Sequence, residues 1–167
     1  MPDERTYALD ANIFIEAKRR YYAFDLCPAF WAALIRYHRE GRICSIDKVC
    51  DELEAGDDEL SAWISSEVPE QFFASTDDAS VVSWFGQMAA WVQQQAQFNA
   101  EAKAEFAAGA DGWLIAFAKA KGMTVVTHEV LAPDARNRVP IPNVCAAFQV
   151  PSMDTFAMLK QLGARFT

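Results

Sequence analysis

An α/β fold with a mainly parallel central sheet is what this sequence predicts, and three observations carry it. Short apolar stretches with strand character alternate with longer segments of helical periodicity. The run "MTVVT" is β-branched and apolar throughout, as in a strand covered on both faces. Strands separated by one or more helices require crossover connections, which make the sheet parallel and place helices on both its faces.

Residues 6–9 read as the first short buried strand, and residues 13–17 begin a helix whose N-terminus faces the strand end at Asp10. In "CPAFWAALIRYHREG" Pro28 stands near a helix start, Phe30, Leu34 and Tyr37 share a face, and Gly41 is a stop. The segment "SIDKVCDELEAG" repeats this logic, with Ser45 as a cap, Ile46, Val49 and Leu53 on one face, and Gly56 at the end. A short helix in "DDELSAWISSEV" and a short strand in "QFFAS" follow. The longest periodic segment is "TDDASVVSWFGQMAAWVQQQAQF", and residues 98–106 add a shorter helix. Residues 111–121 are helical up to Gly122 and lead into the strand "MTVVT". "APDARNRVPIPN" reads as loop, "VCAAFQV" as a last strand, and "SMDTFAMLKQLG" as a last helix. No repeat, linker or compositional break divides the 167 residues, so a single domain over residues 1–167 is expected.

Composition narrows the function. Hydrophobic residues make up 52% and charged residues 23%, an ordinary globular balance. No apolar run approaches the ~20 residues of a spanning helix, and the opening "MPDERTY" is acidic where a signal peptide is basic and then greasy. A cytoplasmic protein without membrane contact is expected. The four cysteines are scattered without a C-x-x-C pair, which suggests neither a zinc site nor a disulfide framework. A net charge of −8 and a pI near 4.7 argue against a broad nucleic-acid binder but leave room for a nuclease with an acidic pocket and a few local cations. "KRRYY", Lys18, Arg19, Arg20, Tyr21 and Tyr22, offers such cations beside aromatic rings that could stack bases. Packing plus a solvated basic patch is the alternative for that stretch.

The carboxylates are the chemically informative residues. Ligands of open α/β sheets bind beyond the carboxyl ends of the strands. Asp10 ends the first strand, Glu129 lies just past "MTVVT", and Asp111 opens the helix leading into that strand. Glu52 stands between Val49 and Leu53, at the edge of a buried helix face. Taken singly, Asp111 could cap its helix, and Glu52 and Glu129 could be solvated acids. Asp10 interrupts an apolar stretch, where a carboxylate is costly unless neutralised. Together, several carboxylates without histidine or cysteine form a hard oxygen site suited to Mg²⁺ or Mn²⁺. Such an ion offsets the repulsion between like charges and activates water for attack on a phosphodiester.

The stretches "LDANIFIEA", "VCDELEAG", "GADGWLIAFAKAKG" and "TVVTHE" resemble, in their order along residues 7–129, the PIN-domain ribonucleases, which include the VapC toxins of bacterial toxin–antitoxin pairs. "IEAKRRYYAFDLCPAFW" looks like a PIN-like subfamily distinct from the shorter VapC proteins. The resemblance implies a three-layer α/β/α sandwich that cuts RNA at a Mg²⁺ or Mn²⁺ site. It matches Asp10, Glu52, Asp111 and Glu129 to the four acidic positions, with Asn12 as a supporting hydrogen-bonding residue. "THE" departs from the commoner Thr-x-Asp by one methylene at Glu129. The resemblance further implies a type II toxin with a protein antitoxin, and it allows a homodimer.

Glu16 could approach the pocket or pair with Arg19 or Arg20, and Thr127 could orient the fourth acid or a water, or be an ordinary strand hydroxyl. His128 reads as exposed or hydrogen-bonded rather than as a ligand among hard carboxylates. Two other readings stand beside the nuclease. A PIN-fold binding or scaffold module with a degenerate site would keep the fold without catalysis. A haloacid-dehalogenase-like phosphotransferase would need a second aspartate where Asn12 stands.

Overall fold

Tyr7–Leu9 forms β1, with all three residues fully buried, so the chain enters the middle of the core from its first element. The computed structural model describes residues 5–56 and 58–166. After β1, Asp10 adopts extended backbone and α1 runs Ala11–Glu16, continued by a π-helical turn Ala17–Tyr21. Helix α2 (Pro28–Arg39) starts on its proline, and Gly41 at φ +76° turns the chain into β2 (Ile43–Ile46). Helix α3 (Asp47–Ala55) follows. Asp58 caps α4 (Glu59–Glu67) by accepting from the backbone N–H groups of Leu60 and Ser61, and a 3-10 turn leads into β3 (Phe73–Ala74).

Asp78 caps α5 (Ala79–Gln94), and Asn99 caps α6 (Ala100–Ala108). Helix α7 (Asp111–Lys121) ends at Gly122, φ +69°, and feeds β4 (Thr124–Val126). Helix α8 (Ile141–Phe148), β5 (Ser152–Met153) and α9 (Thr155–Leu162) complete the order.

All five strands join one parallel sheet in the order β3-β2-β1-β4-β5. Right-handed crossovers that step from β1 to β3 in one direction, and from β3 back across to β4 and β5 in the other, put α1–α4 on one face and α5–α8 on the opposite face. The result is the expected α/β/α sandwich. One face is filled by an aromatic wall that includes Phe14, Trp31, Trp63 and Phe72, and on the other Phe85 and Trp113 stack at 4.0 Å.

Three elements differ from the sequence expectation. Residues 43–46 are a strand, so Ser45 is no helix cap; its buried hydroxyl donates to the Leu9 carbonyl (2.6 Å) across the sheet. The apolar segment around "VCAAF" is helix rather than strand, because Pro142 in its first turn suits a helix start, and Val150 N–H closes the end by bonding the Cys145 carbonyl. Ser152 and Met153 belong to the last strand, and the final helix starts only after Asp154, which accepts from Ala157 N–H.

Candidate active site

Connections from β1 and β4, which lie side by side, run to opposite edges of the sheet, so the crevice beyond their carboxyl ends is a topological switch point. Asp10 sits there, with its backbone N–H bonded to the Val126 carbonyl at the end of β4 (3.0 Å). Only 2% of Asp10 is exposed. Thr127, equally buried, donates its hydroxyl to Asp10 Oδ2 (3.0 Å) and accepts from Glu129 N–H through the same oxygen (3.1 Å). One hydroxyl thus ties the first acid to the backbone that carries the last.

Burial drives the Asp10 carboxyl up to about 8, with further upward pushes from Asp111 and then Glu129; the Thr127 hydrogen bond works in the opposite direction. No cation among the described residues acts on it. Asp111 occupies the first turn of α7 and makes no capping hydrogen bond, so the capping role open to it in sequence is not the one it plays. Burial raises it to about 6, Glu129 and Glu52 add to the rise, and Arg138 counters it. Glu52 is exposed as a residue, but partial burial of its carboxyl raises its pKa while the Ala110 backbone N–H lowers it. That contact brings Glu52 to the residue just before Asp111.

Glu129 is held on both oxygens. Arg138 Nη2 lies 2.6 Å from Oε2, and Ile141 N–H donates to Oε1 (3.1 Å). Arg138 also lines a cavity of about 190 Å³ with Asp111, Glu105 and Phe106. Sequence reasoning missed Arg138 and Glu105: neither carries a motif, and Arg138 comes from the loop between β4 and α8. Gly112 explains how Asp111 gets so close to the packed interior, since a Cβ there would stand 2.9 Å from the Phe106 ring and 3.0 Å from Phe85.

The remaining candidates lie as follows. Asn12 is half-buried in α1 and makes no side-chain hydrogen bond among the described residues. Glu16 pairs with Arg20 (3.3 Å), and Lys18 with Asp58 (2.6 Å). Tyr22 stacks on Phe30 at 4.4 Å, and its carbonyl accepts from Trp31 Nε1, so it belongs to the packed wall. Arg19 and Tyr21 are exposed. Among the described residues no three His, Cys, Asp or Glu side chains are grouped closely enough to hold a metal ion as they stand. What the structure does bring together is an electrostatically coupled set, Asp10, Asp111 and Glu129, with Glu52 adjoining Asp111.

No helix among the described residues is long and apolar enough to cross a membrane. Among solved structures, the chain resembles FitAcB from Neisseria gonorrhoeae, with a TM-score of 0.56 and 18% identity over 89% of this chain and 96% of that chain. At that identity the likeness is one of fold alone, and the parallel β3-β2-β1-β4-β5 sheet is consistent with a PIN-like α/β/α sandwich. No curated protein matches the sequence. Residues 7–166 match the family described as a domain of unknown function, DUF4411, and the chain therefore belongs to that family.

Proposed function

We propose that this protein is an endoribonuclease that hydrolyses RNA phosphodiester bonds with Mg²⁺ or Mn²⁺ and serves as the toxin of a type II toxin–antitoxin pair. The observation that carries the nuclease is Asp10: a carboxyl more than nine-tenths buried at a switch point, raised to about 8, with other carboxylates and, among the described residues, no cation acting on it. Its surroundings fit a hard divalent ion, since the coupled groups offer only carboxylate oxygens. Asp10 and Asp111 would hold the ion, with Glu52 and Glu129 completing the acidic ring and Asn12 beside it. Bound there, the ion supplies positive charge against the phosphodiester and lowers the pKa of water.

The chain's own residues do the positioning. Thr127 fixes the Asp10 carboxyl, and the packing of Gly112 fixes the approach of Asp111. Arg138 and Ile141 N–H orient Glu129, leaving the half-exposed guanidinium at the edge of the site, where a phosphate would arrive. Rate enhancement in such a site rests on prearranged charge rather than on a protein nucleophile.

The test is cleavage of a mixed RNA by purified protein with Mg²⁺, Mn²⁺ or EDTA, beside folded Asp10→Asn and Asp111→Asn variants. Metal-dependent cutting absent from both variants is the expected result. No cutting by any preparation, with no Mn²⁺ binding by calorimetry, overturns it. The toxin role predicts growth arrest on expression, relieved by a co-expressed partner protein.

A second reading, a binding module without catalysis, is favoured by one feature. Arg138 already neutralises Glu129, supplying internally part of the charge a metal would bring. On that reading Asp10→Asn leaves the protein's interactions intact.

A further inference from the structure

The described residues contain only two exposed members of the Phe, Tyr and Trp set, Tyr21 (51% exposed) and Phe156 (40%), and they stand side by side. Their rings meet edge to face at 5.3 Å and 87°. His128 completes the cluster, 6.3 Å from Tyr21 and 6.2 Å from Phe156, with its ring fixed by a hydrogen bond between Nε2 and Thr155 Oγ1 (3.1 Å). Three distant parts of the chain thus converge to keep ring surface in water, although the other aromatic residues are buried or half-buried.

We propose that Tyr21, His128 and Phe156 form a stacking subsite for a base of single-stranded RNA beside the acidic site, with Arg19 against a neighbouring phosphate. The proposal deepens the nuclease reading and rests on it for the identity of the strand. The link to the acids runs through His128 alone. It follows Thr127, whose hydroxyl bonds Asp10, and with Thr127 and Glu129 it lines a groove of about 340 Å³ that neither Tyr21 nor Phe156 enters.

The backbone is built to present this patch. After α1 the helix widens to a π turn, in which Tyr22 N–H reaches back to the Ala17 carbonyl (2.8 Å). Ala17 stays buried and Tyr22 is stacked on Phe30, while the intervening turn carries Arg19, Arg20 and Tyr21 outward. Lys18 is engaged by Asp58 and Arg20 by Glu16, which leaves Arg19 as the cation of this turn without an ion pair among the described residues. Exposed aromatic rings with a guanidinium two residues along the chain from Tyr21, in a chain of net charge −8, suit a stacked base and a neighbouring phosphate better than a broad electrostatic surface does.

The experiment is fluorescence anisotropy in EDTA on Asp10→Asn protein, with a fluorescein-labelled ten-nucleotide RNA of mixed sequence and the same sequence as a duplex. Tyr21→Ala and Phe156→Ala are each expected to weaken single-strand binding about tenfold. Tyr21→Trp should retain binding, and thermal midpoints should fall by only a few degrees, the cost of one edge-to-face contact between half-exposed rings. Duplex binding should not respond, since paired bases are not free to stack.

Undiminished single-strand binding by the Tyr21→Ala/Phe156→Ala double variant overturns the proposal. So does a failure of the Asp10→Asn protein to bind the single strand at all. Loss of self-association with unchanged RNA binding would assign the patch to a protein interface and overturn it as well. Because the assay needs no chemistry, RNA bound through the rings but never cut leaves the subsite standing and removes the nuclease. RNA that is cut, yet bound equally by the double variant, does the reverse.

Discussion

Asp10 makes the stability of the metal-free protein depend on pH in an unusual direction. Its carboxyl binds a proton more tightly in the folded chain, at about 8, than an unfolded aspartate does at about 4. Its contribution to stability is therefore full below about pH 4 and declines as pH rises toward 8, by on the order of a few kcal/mol. Thermal melts in EDTA should show the midpoint falling across that range, and Asp10→Asn should flatten the fall. Thr127→Val keeps the shape but leaves Asp10 without the hydroxyl donor, for an expected loss of about 1–3 kcal/mol in urea unfolding. Arg138→Ala leaves Glu129 and Asp111 without their nearby cation, so calorimetry should show Mn²⁺ binding several-fold tighter; weaker binding would show that Arg138 acts by orienting Glu129. At this scale the sequence singled out Asp10, Asp111 and Glu129 because each stands where an apolar element begins or ends. Arg138 and Phe156 were not legible, since their roles depend on partners nine and 135 positions away, Glu129 and Tyr21, across loops that no periodicity describes.

Helix α7 is the element on which the site depends most. It packs across β1, β2 and β4 and against α5, and its first turn delivers Asp111. Gly112→Ala would force the Phe106 and Phe85 rings apart, and an overpacked contact of this kind destabilises by about 1–3 kcal/mol. Gly86 in α5 is a matched control, because a Cβ there meets nothing within 4 Å. Gly86→Ala should stabilise by about 0.5–1 kcal/mol, and denaturant melts of the two variants should shift oppositely. Helix α7, with its glycine stop, was readable from sequence almost to the residue. Strand β2 was not, since four residues offer too little alternation to separate a strand from the helix that follows. Helix α8 was misjudged for the complementary reason: a short, wholly apolar run has no face to reveal its period.

For the whole molecule, a net charge of −8 limits how RNA is held. If Arg19 and Arg138 each neutralise one phosphate, the slope of log affinity against log salt should be roughly −1.4, and a much steeper slope would require cations outside the site. The class of fold was legible because alternation of strand and helix survives errors in single elements. Strand order was not, since nothing local records that β4 returns past β3 and β2 to lie against β1. That return also bears on synthesis. Asp10 and Thr127 are 117 positions apart, so a chain leaving the ribosome carries its first acid long before the hydroxyl and the last acid that complete the crevice. On the nuclease reading, a nascent chain that has not yet reached Thr127 and Glu129 is inactive, and the cell meets no active fragment up to that point.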